Sequence, residues 1–152
     1  MLTRRTALAR SAQVALMLGG LGLLPRAAMA AYPTAAFEAK SLADLLKVLG
    51  AGAPVESKDV TVTAPDIAEN GAVVPVGAST TLPGAKRLLI LVEKNPSVLS
   101  AAFDVSDFVE PAFTTRVKMG QSSNVIAVAL MNDGKVLFAQ KEVKVTLGGC
   151  GG

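Results

Sequence analysis

The chain carries one cysteine, Cys150, inside the stretch KVTLGGCGG at 144–152, and no histidine. A thiol can serve as a fixed nucleophile, close a disulfide, ligate a metal or carry a group covalently. The first role needs a rigid mount beside a base, and without histidine the usual base is missing. An internal disulfide or a C-x-x-C redox pair needs a second cysteine. Gly148, Gly149, Gly151 and Gly152 leave the sulfur without flanking side chains, and they resist ordering because glycine loses the most backbone entropy. From Leu147 to Cys150 is three residues, roughly 10 Å of extended chain. A terminal carboxylate close by disfavours the thiolate. These features predict a thin, flexible arm over 148–152. Its sulfur is modestly reactive until another protein, into whose pocket the arm threads, activates it. An unpaired cysteine in an exported chain points to an intermolecular bond or to a thiol that carries something; the glycines favour carrying.

Other candidate chemistry is sparse. Asp104, Asp107 and Glu110 in FDVSDFVEP form the one acidic cluster. Paired carboxylates can do acid–base work, but nothing in the sequence splits their pKa values, and no calcium loop with its glycine surrounds them. A solvated loop is the reading they support. Arg116 and Lys118 alternate with Thr114 along TTRVKM, which is either a small basic surface for an anion or the wet face of a strand. Met119 and Met131 fall in apolar runs and read as core. The sequence contains no G-x-G-x-x-G, G-x-S-x-G, Walker or H-E-x-x-H motif, and it reads as a chain that is not itself an enzyme.

The elements that must position Cys150 begin after a leader. Residues 1–30 combine a basic start (Arg4, Arg5, Arg10), an apolar run from Val14 to Leu24, and Ala28 and Ala30 in an A-x-A pattern. This is the form of a cleaved export signal, its apolar run being too short for a bilayer span of roughly 20 residues. The paired arginines of TRRTAL suggest the twin-arginine route. Ala7 stands where that motif usually has an aromatic, so a Sec signal also stays open. Of fifteen Lys and Arg, Arg4, Arg5, Arg10 and Arg26 leave with the leader, so eleven face twelve acidic residues. The basic character of the whole chain therefore belongs to the leader and implies no nucleic-acid or membrane-surface partner. Residues 31–147 suit a single domain.

Within that domain, Leu42, Leu45, Leu46 and Leu49 repeat at helical spacing, with Ser41 and Asp44 as a capping box and Gly50 as the stop. The period then changes to two. Val60, Val62 and Ala64 alternate, Asn70–Gly71 turns, and Val73, Val74 and Val76 resume. KRLLILV, FTTRVKM, SSNVIAVALM and VLFAQKEVKVTL read as further strands, the last two joined by the Asn132–Asp133–Gly134 hairpin turn. Strands at this spacing predict an all-β fold, an immunoglobulin-like antiparallel β-sandwich with a short N-terminal helix and a flexible Gly-rich C-terminal arm. RLLILV and VIAVALM alternate poorly, as strands buried on both faces do. Either the chain fills its own core or a second protein covers part of a sheet.

The terminal GGCGG after KEVKVTL, behind a twin-arginine signal, resembles the SoxY family, sulfur-carrier subunits of the bacterial thiosulfate-oxidising Sox system. FEAKSLADLLKVLG, APDIAENGAVVPV, VEKNPSVLSAAF and TTRVKMG resemble the same family, so the likeness covers nearly all of residues 31–152. It implies a heterodimer with SoxZ, a smaller β-sandwich protein exported together with it to the periplasm. It also implies that Cys150 is the covalent attachment point for thiosulfate-derived sulfur, with no cofactor other than that adduct. In the family, the haem protein SoxAX couples thiosulfate to the cysteine, the hydrolase SoxB releases sulfate, and the dehydrogenase SoxCD oxidises the remaining sulfane sulfur. Only Cys150 and its glycines carry over as functional residues. Two rival readings remain: an exported structural or interaction module whose cysteine makes an interchain disulfide, and a metal handler using Cys150 with Met119 and Met131.

Overall fold

The computed structural model describes residues 34–147; the leader and the GGCGG stretch lie outside the described residues. A 3-10 turn (Thr34–Glu38) precedes the helix α1 (Leu42–Val48). Nine strands follow: β1 (Pro54–Glu56), β2 (Val60–Thr63), β3 (Ile67–Asn70), β4 (Val74–Thr80), β5 (Ala85–Val92), β6 (Leu99–Asp104), β7 (Ala112–Val117), β8 (Ser123–Met131) and β9 (Val136–Leu147). Of the expected capping box at the start of α1, the N-cap half is formed by Ser41, while the Asp44 carboxylate meets the Ser41 hydroxyl in place of its backbone N–H. Ser41 Oγ accepts from the Asp44 amide at 3.1 Å and donates to the Asp44 carboxylate at 2.7 Å. Gly50 ends the helical segment with φ +63°, a left-handed backbone that a side chain would strain.

The strands form two layers. The larger sheet runs β1-β9-β8-β5-β6, with β3 also paired to β9, and the smaller runs β2-β4-β7. The pairs β5–β6, β5–β8, β8–β9, β2–β4 and β4–β7 are antiparallel. This is the sandwich that the strand spacing implies. The turn between β8 and β9 lies at Asn132–Gly134, with Gly134 at φ +85°. Two short strands add a feature the sequence pattern did not reveal. Both β1 and β3 pair parallel to β9, β1 at Val136–Phe138 and β3 at Lys144–Leu147. The β6 strand was likewise illegible, because LSAAFD is poor in β-branched residues and owes its strand form to pairing with β5.

The core explains the poorly alternating runs. Leu88, Ile90 and Val92 of β5 and Val125, Ala127 and Ala129 of β8 meet Val74, Val76, Val117 and Met119 between the sheets. Their neighbours Leu89, Leu91 and Val128, on the opposite face, are equally inaccessible at 0% exposure, as is Leu45 of α1. The N-terminal segment buries Ala36, Ala39, Leu45 and Leu46. Hydrogen bonds from the Ser97 hydroxyl to the Phe37 carbonyl and from the Val98 amide to the Ala39 carbonyl tie the segment to the sheet. The central strands are therefore buried on both faces, the first of the two arrangements their apolar runs allow. Met119 is buried in the core and Met131 half-buried at the end of β8, as core residues should be.

Candidate functional site

Cys150, Gly148, Gly149, Gly151 and Gly152 lie outside the described residues, and the site is therefore built from the strand that carries them. β9 is twelve residues long. Its last residues are held from several directions. The Lys144 amide donates to the Asp66 carbonyl at 2.9 Å, and the Val145 amide to Ser122 Oγ at 2.9 Å. The Thr146 hydroxyl donates to the Glu69 carbonyl at 3.0 Å, and the Leu147 carbonyl accepts from the Gly71 amide at 2.8 Å. Gly71 is itself fixed, because its carbonyl accepts from the amide of the buried Met119 at 2.7 Å. The chain is thus anchored to the core up to Leu147, one residue before the glycines begin.

The turn beside that anchor is equally specified. Asn70 Oδ1 accepts from the Ala72 amide at 2.8 Å, an Asx turn. It reverses the chain out of β3, in one sheet, toward β4 in the other. At the neighbouring corner Asn95 Nδ2 donates to the Lys118 carbonyl at 2.7 Å, and the Lys94 amide donates to the hydroxyl of buried Ser123 at 3.0 Å. Around this rigid pole two large apolar side chains stand in solvent: Leu147 at 70% exposure and Val73 at 55%. A third, Ile67, is 58% exposed on β3.

The other candidates behave as surface. Asp104 ends β6 and pairs with Arg87 of the adjacent strand, whereas Asp107 and Glu110 sit exposed in the following loop beside Phe108, which is 98% exposed. The three carboxylates do not share a site. Among the described residues, no group of three or more His, Cys, Asp or Glu is placed to hold a metal ion. Thr114, Arg116 and Lys118 are exposed along the outer face of the small sheet, the wet face of the two readings. The shifted titrations belong to the distant β8–β9 turn. There the Lys135 side chain, hydrogen-bonded to Asp133 at 2.8 Å, lowers the Asp133 pKa, and the same contact raises that of Lys135. No helix among the described residues is long and apolar enough to cross a membrane. The residues that hold the arm's root (Asp66, Glu69, Gly71, Ser122, Thr146) had no sequence signal beyond the Asn70–Gly71 turn, since their partners are distant in the chain.

With this geometry in view, the comparisons are specific. The family model described as sulfur oxidation protein SoxY matches residues 45–150, a span that ends on Cys150. The solved structure of the sulfur carrier protein SoxY from Chlorobium limicola f thiosulfatophilum is 37% identical. The match covers 68% of this chain and 93% of that one, with a TM-score of 0.61. A superoxide reductase (neelaredoxin) variant from Ignicoccus hospitalis is similar at 21% identity over 57% of this chain and 78% of that one, with a TM-score of 0.51. That second likeness concerns the sandwich fold alone. No curated protein matches the chain.

Proposed function

The chain belongs to the SoxY family and has that family's sulfur-carrier role in sulfur oxidation; from that premise we propose that Cys150 is where the sulfur is attached. The observation that carries the proposal is the join at Leu147. An ordered strand, hydrogen-bonded through its last carbonyl, passes directly into a segment whose one reactive side chain is a thiol between glycines. The sandwich supplies a fixed base, and the glycines supply reach. On this reading the chemistry comes from the enzymes that act on the thiol.

The attachment step balances only with an oxidant. Joining the Cys150 thiol to the outer sulfur of thiosulfate forms an S–S bond and releases a proton and two electrons. In the Sox system those electrons pass to the haem protein SoxAX. Hydrolysis by SoxB then breaks the bond between the sulfane and sulfonate sulfurs. Water adds to the sulfonate, sulfate leaves, and a persulfide stays on Cys150. Where SoxCD is present, that dehydrogenase takes six electrons from the persulfide while three waters supply oxygen and release six protons, leaving an S-sulfonate on Cys150; a second hydrolysis by SoxB then breaks the bond between the cysteine sulfur and the sulfonate, releasing sulfate and returning the thiol. Throughout, the chain acts as carrier and not as enzyme, needs no cofactor, and works in the periplasm after loss of residues 1–30, paired with a SoxZ-like subunit.

Intact-mass spectrometry tests the assignment. Protein incubated with thiosulfate and the coupling enzyme gains the mass of one thiosulfate-derived group, and reductant removes it. Cys150→Ser gains none and supports no thiosulfate consumption. Normal consumption by that variant would overturn the proposal.

A further inference from the structure

We infer that the loop between β6 and β7 and the hollow beside the β8–β9 turn form one self-complementary patch, through which two copies of this chain pair about a twofold axis. The loop carries Phe108, the most exposed large apolar side chain among the described residues at 98%, followed by Val109 at 42%. It is not a loose tip. The Val109 amide donates to the Ser106 carbonyl at 3.0 Å, closing a turn with Phe108 at its third position. The Val105 amide donates to the Lys86 carbonyl, and the Pro111 carbonyl accepts from the Thr80 amide, both at 3.0 Å. Each end of the loop is thus tied to a strand, and a ring presented this way needs little further ordering on docking. Asp107 and Glu110 flank the ring, and among the described residues neither has an ion-pair partner. The occupant that suits such a knob is an apolar socket with a cationic rim.

That socket is on the same molecule. Leu49, Met131 and Val136 line a hollow of about 200 Å³ whose rim carries Lys86, Arg87 and Lys135, and no carboxylate lines it. A cavity of roughly 150 Å³ accepts benzene, so a phenyl ring fits. Arg87 and Lys135 already pair with Asp104 and Asp133, whereas Lys86 has no carboxylate partner among the described residues. Knob and socket adjoin, because Lys86 stands on the socket's rim while its carbonyl holds Val105 at the foot of the loop. Two such patches set face to face about a twofold axis exchange knobs reciprocally, and the contact closes at two copies. A knob and socket on opposite sides would instead propagate into an open filament. Two rings in two sockets bury little area, so the pairing is weak and follows concentration.

Sedimentation velocity tests the pairing on the protein as purified, alone or with a bound second subunit, kept reduced so that Cys150 forms no disulfide. Across roughly 1 μM to 1 mM, the span of weak affinities, that unit is expected to double in mass. Phe108→Ser should raise Kd about 10-fold or more, and Lys86→Glu should weaken pairing most at low salt. Gly52→Phe plugs the socket; a Cβ at that position has room, its nearest neighbour being the Gly134 carbonyl oxygen at 3.6 Å. It should weaken pairing as Phe108→Ser does, with the melting temperature of each variant unchanged. Mixing Phe108→Ser with Gly52→Phe is the decisive arm. Each variant alone has no complete contact, whereas the mixed pair keeps one knob in one socket and should associate more tightly than either. A parent that stays single throughout the range overturns the pairing, as does a doubling seen only without reductant or unchanged in Phe108→Ser. A mixture no tighter than its components overturns the reciprocal arrangement. Release of a bound second subunit by Phe108→Ser, with no self-pairing of the parent, would assign the loop to a different protein and likewise overturn it.

Discussion

β5 and β9 run in the same sheet, one strand apart, and solve opposite problems. From Leu88 to Val92, β5 has five consecutive side chains at 0% exposure, those of Leu88, Ile90 and Val92 packed in the core between the sheets. β9 begins in the same way, with Val136 buried, and still buries Val143, but it ends with Leu147 largely in water. Pairing with β8 ends at Val143, yet the last residues of β9 stay hydrogen-bonded through β3, Ser122 and Gly71. What changes is the side-chain packing. The end of β9 is fixed in position by hydrogen bonds while the Leu147 side chain stays exposed. If the proposed attachment at Cys150 holds, stability sits in the interior strands and function beyond the strand end, and the two should separate by mutation.

The largest effect expected from breaking that separation comes from the interior. Ile90→Ala removes a fully buried side chain from between the sheets and should destabilise by about 2–5 kcal/mol, read as a lowered midpoint in urea with unchanged slope. The contrast predicts that the folded fraction of this variant still reacts with maleimide at Cys150 at the parental rate. If thiol reactivity in the folded protein changed along with stability, core and arm would be coupled. The division between the two strands would then be wrong.

A smaller effect tests the strand end itself. Thr146→Val removes the hydroxyl that donates to the Glu69 carbonyl at 3.0 Å while keeping a β-branched shape suited to a strand. An intramolecular hydrogen bond contributes a net of about 0.5–1.5 kcal/mol, and both groups lie at the exposed pole where water can replace the lost partner, so the lower end applies. Hydrogen exchange at the Gly71 amide, which bonds the Leu147 carbonyl, should quicken, while exchange in β5 and β8 should stay at its parental rate. Uniform quickening across the sheet would mean that the root is not a local device.

The same contrast explains what could be read from the sequence. The interior strands were legible as strands because RLLILV and VIAVALM are apolar runs that fit two-sided burial or a covering second protein, and the Ser41 N-cap and the Asn132–Gly134 turn are local motifs closed within a few residues. β1 and β3 were not, since each is only three or four residues long and forms by lying parallel to β9 across a long sequence separation. The arm's root was hidden for that reason: Glu69, Gly71 and Ser122 act through backbone groups or a hydroxyl on distant β9 residues, and no spacing rule encodes such pairs. The thiol stands out in the sequence as the one cysteine, set between glycines, and lies outside the described residues. What surrounds the thiol's anchor had to be folded to be seen.

The smallest expected effect lies at the opposite pole, where the β8–β9 turn joins the strands. Lys135 lowers the Asp133 pKa through a side-chain hydrogen bond, and Asp133 raises that of Lys135 by the same contact. For the carboxyl, a folded value below the unfolded 3.8 means that the pair's contribution is present above that value and is lost as pH falls through the lower folded one. For the amine, a folded value above 10.5 means that the contribution is complete below 10.5 and lost as pH rises through the folded value. The pair should therefore stabilise across the neutral range and fade at both extremes. Both groups are fully exposed, so solvent and salt screen the contact heavily. Lys135→Met should slightly flatten the stability–pH curve at its acid and alkaline ends, most visibly at low salt, while Cys150 loading at neutral pH stays as in the parent. An acid limb shifted as strongly as the loss from Ile90→Ala would show that this turn, and not the doubly covered strands, holds the sandwich together.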